Sequence, residues 1–148
     1  MKKEIYEIID SDLPLTDKLQ SLCYILADNV SYYCWVGFYL VSEKKNTLIL
    51  GPFVGELTDH TEIPFGRGIC GQVALSHKTF IVPDVEKQDN YLSCNAKVKS
   101  EIVIPIFNTK GEFVAQLDID SHVLDPFTKK DKKLLEEICE KLGKYFDI

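Results

Sequence analysis

The sequence predicts an α+β fold: an antiparallel sheet of about six strands, with the N- and C-terminal helices on one face and a loop-covered pocket on the other. Three observations predict it. The element order reads helix-helix, strand-strand, short helix and loop, strand-strand, helix. The β-rich runs come in pairs joined by polar turns, which is the signature of antiparallel hairpins. A long polar stretch in the middle of the chain lacks any periodicity, and loops of that length in a compact domain are often functional.

Each element has a local reason. A short helix is expected over about residues 3–8 and a second over about 16–28, where Leu19, Leu22, Cys23 and Leu26 recur at helical spacing with Thr16 as N-cap. Leu13-Pro14-Leu15 separates the two, because proline disfavours helix at the residue before it. Residues 32–41 are aromatic and β-branched and read as a strand; Ser42-Glu43-Lys44-Lys45-Asn46 turns into a second strand over 47–53. Gly66-Arg67-Gly68 marks a turn, followed by a short helix over 69–76, a short strand over 78–82 and the long loop 83–99. Residues 101–107 and 112–120 form the second hairpin around Asn108-Thr109-Lys110-Gly111. A last helix runs over about 129–146, opened by the capping box Thr128-x-x-Asp131 and buried through Leu135, Ile138, Leu142 and Tyr145 or Phe146.

Composition narrows the function. The 148 residues fit one domain, and a hydrophobic content of 45% is ordinary for one buried core. Seventeen basic against 23 acidic residues give a net charge of −6, which argues against nucleic-acid or anionic-membrane partners. No apolar run approaches the ~20 residues that span a bilayer. The start, Met1-Lys2-Lys3-Glu4, lacks the apolar stretch of a signal peptide, so a cytoplasmic location is expected. Five cysteines are then expected as thiols, and neither they nor the three histidines show zinc-site spacing, so no metal is expected.

The residues that could carry chemistry sit on three strands and two loops. In 113–120, Ala115, Leu117 and Ile119 point one way and Gln116, Asp118 and Asp120 the other. Two readings are open: a solvated outer face, or a polar pocket that binds a cationic group or holds a proton for acid catalysis. Glu101 opens the neighbouring strand, either as an exposed strand end or as a third carboxylate in that pocket, where clustering would push one pKa upward. In the first strand, Trp35, Gly37 and Tyr39 share one face and Val36, Phe38 and Leu40 the other; apolar on both faces, this strand should be central. Gly37 between two aromatics leaves space for a ligand or a backbone, or simply belongs to an aromatic cluster. Cys70 follows a glycine turn near a helix start, a position that lowers a thiol pKa. Cys94 lies in a polar loop near Lys97 and Lys99, where core filling explains it less easily than it explains Cys23, Cys34 and Cys139.

The motifs Trp35-Val36-Gly37-Phe38-Tyr39, Leu50-Gly51-Pro52-Phe53, Ile63-Pro64-Phe65-Gly66-Arg67-Gly68-Ile69-Cys70-Gly71, Val82-Pro83-Asp84-Val85, Cys94, Ser100-Glu101-Ile102-Val103 and Leu117-Asp118-Ile119-Asp120-Ser121 occur in this order. Together they resemble the GAF-type free methionine-(R)-sulfoxide reductases, from about Leu15 to the C-terminus. The resemblance implies that Cys94 attacks the sulfoxide sulfur and becomes a sulfenic acid. It implies that Cys70 resolves this as a disulfide, which thioredoxin or a similar dithiol reduces without a bound cofactor. It implies that Glu101, Asp118 and Asp120 recognise the ammonium of the free amino acid, and that Trp35 and Tyr39 wall the S-methyl group. Domains of this group are often dimeric, though nothing in the residues fixes the state. Many members carry a further cysteine ten residues before the one matching Cys70; here that position is His60, leaving Cys70 or an external thiol to resolve the intermediate. The alternative reading is a GAF module that binds a small molecule or senses redox state without turnover.

Overall fold

The architecture follows from alternation along two central strands. The computed structural model describes residues 1–89, 91 and 97–147. Helices α1 (Lys2–Asp10) and α2 (Leu15–Asn29) lead into β1 (Trp35–Val41), β2 (Thr47–Val54) and β3 (Glu62–Pro64). Helix α3 (Gly68–Ser76) and β4 (Phe80–Val82) precede a 3-10 turn over Val85–Lys87. The hairpin β5 (Ser100–Phe107) and β6 (Phe113–Ser121) is followed by α4 (Lys129–Leu142) and a closing 3-10 turn, Gly143–Phe146. The six strands form one antiparallel sheet in the order β3-β2-β1-β6-β5-β4. The α+β expectation therefore holds, and β1 is interior as its two apolar faces required.

Each face of the sheet receives the side chains its alternation assigns. Val36, Phe38, Ile102, Ile104, Ile106, Ala115, Leu117 and Ile119 meet α1, α2 and α4 in the larger core, so the terminal helices do share one face. Burying each of these large side chains contributes roughly 1.5–3 kcal/mol, which makes this helix-covered face the main source of stability. Trp35, Tyr39 and Val103 point to the opposite face, where Ile69 and Val73 of α3 cover them together with Val82, Val85 and Val98.

Several elements differ from expectation for local reasons. Strand β3 lies in a stretch that has no strand pattern, because only Ile63 of its three residues is buried. Thr16 is not the N-cap of α2: the helix begins at Leu15 behind Pro14, whose φ of −56° already suits a helix start. The last helix is not continuous to residue 146. It tightens at Gly143, which lies against the Phe107 carbonyl so closely that a Cβ would collide with it. Gly37 opens no space for a ligand; the Trp35 ring and Phe53 Cβ occupy it.

Two polar devices tie the helices down. Lys18 is 2% exposed; its ammonium donates to the Ile9 carbonyl at 2.6 Å and sits 3.5 Å from the Tyr145 ring centroid. The capping box of α4 is formed as expected, and its Asp131 does more than cap. Its carboxylate accepts from the Thr128 N–H at 2.7 Å, from the Tyr32 hydroxyl at 2.9 Å and from the Tyr33 hydroxyl. Burial pushes this carboxyl upward, but the Thr128 amide and the two tyrosines outweigh it and hold Asp131 below the ordinary aspartate value of 3.8.

Asp131→Asn should therefore cost about 1–3 kcal/mol in urea unfolding at neutral pH. Because the folded pKa is depressed, this contribution is present above the unfolded value near 3.8 and is lost as pH falls through the folded one. The gap between wild type and variant should narrow below about pH 4; a gap that stays constant into acid would rule out the charge as its source.

Candidate active site

The site is built on the carboxylate face of β6. Antiparallel pairing sets Glu101 directly opposite Asp120 and Trp35 opposite Asp120 on the other side; Tyr39 faces Gln116 and Gly37 faces Asp118. Pairs directly opposite share a face, so Glu101, Asp118 and Asp120 converge. All three are nearly inaccessible, with exposures of 6%, 5% and 5%. The pocket reading thus prevails over the solvated-face reading for β6, and over the exposed strand end for Glu101.

Helix α3 closes the site from above. Gly66 (φ +91°) and Gly68 (φ +65°) turn the chain into the helix in a conformation that L side chains avoid. The helix then lays Cys70 over the sheet, where the Cys70 carbonyl accepts from Gln116 Nε2 at 3.1 Å. The Cys70 thiol points down at Glu101 Oε2, 3.9 Å away. Tyr39 lines the same space and donates its hydroxyl to the His60 carbonyl at 2.9 Å. A narrow cavity of about 20 Å³ remains between Tyr39, His60, Cys70, Tyr91 and the three carboxylates. A second one, about 30 Å³, adjoins it between Cys34, Trp35, Val98, His122 and the far side of Asp120. Trp35 therefore borders the neighbouring chamber, stacked on Phe53 and Tyr39 with centroids 5.5 and 6.3 Å away. A larger groove of about 850 Å³ runs beside α4, but its lysines and glutamates are solvated and it has no converging buried charge.

The electrostatics of the cavity are dominated by what is missing. Asp118 Oδ1, Asp120 Oδ1 and Gln116 Oε1 are buried without a hydrogen-bond partner. Leaving an ionised carboxylate in such a place costs several kcal/mol, whereas keeping a proton at neutral pH costs about 1.4 kcal/mol per pH unit. Burial raises the Asp118 pKa, and burial together with the charge of Asp118 raises that of Asp120 well above the ordinary value. Cys70 overturns its own expectation. It does sit in the first turn of α3, yet burial, followed by the charges of Asp118, Glu101 and Asp120, pushes its thiol pKa well up rather than down. Two dielectric and Coulomb penalties outweigh one helix end.

The resemblance implies one site for Glu101, Asp118, Asp120, Cys70, Trp35 and Tyr39; the structure sets all of these but Trp35 around one cavity, and Trp35 borders the adjoining one. His60 and Tyr91 also line the cavity, and neither lies in a periodic element that could have revealed it. Cys94 lies outside the described residues. Cys23 and Cys139 are buried in the helix layer and Cys34 is half-buried. No helix among the described residues is long and apolar enough to cross a membrane.

Known proteins share this fold. A model of the GAF domain matches residues 15–145. The free methionine-R-sulfoxide reductase of Saccharomyces cerevisiae is 40% identical over 111 residues, 74% of this chain but 61% of the yeast protein, so the chain spans under two thirds of that relative. The Escherichia coli protein of the same name is 36% identical over 120 residues, 81% of this chain and 70% of its own. Among solved structures, the free methionine-R-sulfoxide reductase from Neisseria meningitidis in complex with its substrate superposes with a TM-score of 0.91 at 34% identity, covering 99% of this chain and 86% of that one. The reduced form of the Staphylococcus aureus enzyme gives 0.89 at 37% identity, covering 97% and 91%.

The carboxylates should govern the Cys70 thiol measurably. Asp118→Asn removes the largest charge acting on it, so alkylation of Cys70 by iodoacetamide at pH 8 should speed up about tenfold, the effect of one pKa unit. An unchanged rate, read by mass spectrometry of the Cys70 peptide, would mean that access alone limits this thiol.

Proposed function

Because the chain belongs to the GAF-domain family of free methionine-R-sulfoxide reductases, we propose that it reduces free L-methionine-(R)-S-oxide to L-methionine. The observation that carries this reading is the set of orphaned carboxylate oxygens on Asp118 and Asp120 beside the Cys70 thiol. A free amino acid brings an ammonium, and an ammonium is the group that buried carboxylates without a counter-ion would receive. A methionine sulfoxide inside a peptide has no such group, which accounts for a preference for the free form.

In this reading Cys94 is the nucleophile. Its sulfur attacks the sulfoxide sulfur, the sulfoxide oxygen passes to Cys94, and methionine leaves as the thioether. The substrate is reduced by two electrons and Cys94 is oxidised to the sulfenic acid. Burial raises the pKa values of Asp118 and Asp120, which favours a carboxyl that can hold a proton and give it to the sulfoxide oxygen as its bond to sulfur breaks. Tyr39 offers the apolar wall for the S-methyl group, with Trp35 stacked on it from the adjoining chamber. Cys70 then attacks the sulfenic sulfur, water leaves, and a Cys70–Cys94 disulfide forms. A thioredoxin-like dithiol reduces that disulfide by exchange. Among the described lining residues Cys70 is the one thiol in this cavity, and His60 stands where many relatives hold another, so resolution falls to Cys70. The carboxylate charges help to push the Cys70 pKa up, so a cation among them makes Cys70 a more competent nucleophile.

The test is methionine release from free methionine-(R)-sulfoxide with either dithiothreitol or thioredoxin. Cys94→Ser should lose about three orders of magnitude or more in rate with both reductants. Cys70→Ser should keep activity with dithiothreitol and lose it with thioredoxin. A wild-type protein that reduces neither epimer would sink the enzyme reading and leave a ligand-binding GAF module.

A further inference from the structure

The thiol in the carboxylate cluster gives this cavity a second chemistry. The ligand atoms of Cys70, Glu101 and Asp118 all lie within 4.8 Å of one another, and all three residues are buried. Asp118 Oδ1 of this trio and Asp120 Oδ1 beside it are buried acceptors without a hydrogen-bond partner, on residues that line the same cavity. Among the described residues no lysine, arginine or histidine pairs with Asp118 or Asp120. The space left is about 20 Å³, which admits one water-sized occupant.

We propose that Cys70, Glu101 and Asp118 form a binding site for a thiophilic divalent cation of the zinc class. Oxygen donors alone would suit magnesium or calcium; the sulfur turns the preference toward zinc. Zinc sits about 2.3 Å from thiolate sulfur and about 2.0–2.2 Å from carboxylate oxygen, so sulfur and oxygen on one ion lie roughly 3.5–4 Å apart. Cys70 Sγ and Glu101 Oε2 already stand 3.9 Å apart. On binding, the Cys70 S–H proton and the carboxyl protons pass to solvent, Zn–S and Zn–O bonds form, and no electrons are transferred. Motif spacing cannot reveal this site because its donors come from α3, β5 and β6.

Binding stands on the geometry alone, whereas its consequence rests on the function proposed above. A cation held there ties up the resolving thiol and fills the place of the substrate ammonium. Zinc therefore acts as an inhibitor that competes with free methionine sulfoxide.

Cobalt(II) added to the reduced full-length protein tests the binding, with thiolate-to-cobalt charge-transfer absorption as the readout. The band should saturate at one equivalent, be displaced by zinc, weaken about tenfold or more in affinity in Asp118→Asn, vanish in Cys70→Ser and persist in Cys34→Ser. Zinc should also protect the wild-type Cys70 peptide from alkylation, a readout that needs no variant to fold. A band that survives Cys70→Ser, or Cys70 alkylation that zinc leaves unchanged, would overturn the proposal. In turnover, zinc should raise the apparent KM for the sulfoxide and leave kcat unchanged. Cobalt bound through Cys70 in a protein without reductase activity would keep the metal site and reject the enzyme reading instead.

Discussion

Three carboxyl groups share a water-poor space with a thiol, and the rest of the molecule is arranged around that expense. Ionised, the trio would repel itself and lose its hydration; neutral, it leaves acceptors without donors. The sheet tolerates the cluster because its opposite face is a continuous apolar layer against three helices. Stability is gathered on one side of β6 and given up on the other. The carboxylate oxygens that lack a partner within the protein are the ones that reward a cationic visitor, so affinity and instability at this site are one property.

The division of labour runs along individual strands. On β6, Leu117 and Ile119 are fully buried beneath the helices while Asp118 and Asp120, alternating with them, line the cavity. On β1, Phe38 belongs to the core and Tyr39 to the site. A shift of one residue in register would send the acids into the apolar core, so the pairing of β1 with β6 is fixed by the chemistry on both faces. Asp120 borders both small chambers, which makes it the wall through which Trp35 and Cys34 on one side communicate with Cys70 on the other.

How much of this was legible depended on the range of the interactions. Period-two alternation disclosed that Asp118 and Asp120 share a face of one strand and Trp35 and Tyr39 a face of another, and the Thr128–Asp131 spacing disclosed a cap, because both signals are local. The strand Glu62–Pro64 is too short to alternate, and Pro14 displaced Thr16 as the helix start through a backbone preference the hydroxyl pattern hides. The direction of the Cys70 pKa could not be read from its neighbours, since a helix end is visible in sequence while Glu101, 31 residues away, is not. His60 and Tyr91 reach the cavity from stretches without periodicity, so nothing short of the fold would have placed them.

The topology also sets an order of events for the newborn chain. β1, complete by residue 41, is flanked by β2 on one side and by β6, residues 113–121, on the other. The edge that β6 will fill stays open on the ribosome until most of the protein has been synthesised. The buried Lys18 ammonium waits longer still, because the ring above it belongs to Tyr145. The first hairpin, the first two helices and the last helix thus complete one core together, through pairings between residues far apart in the chain.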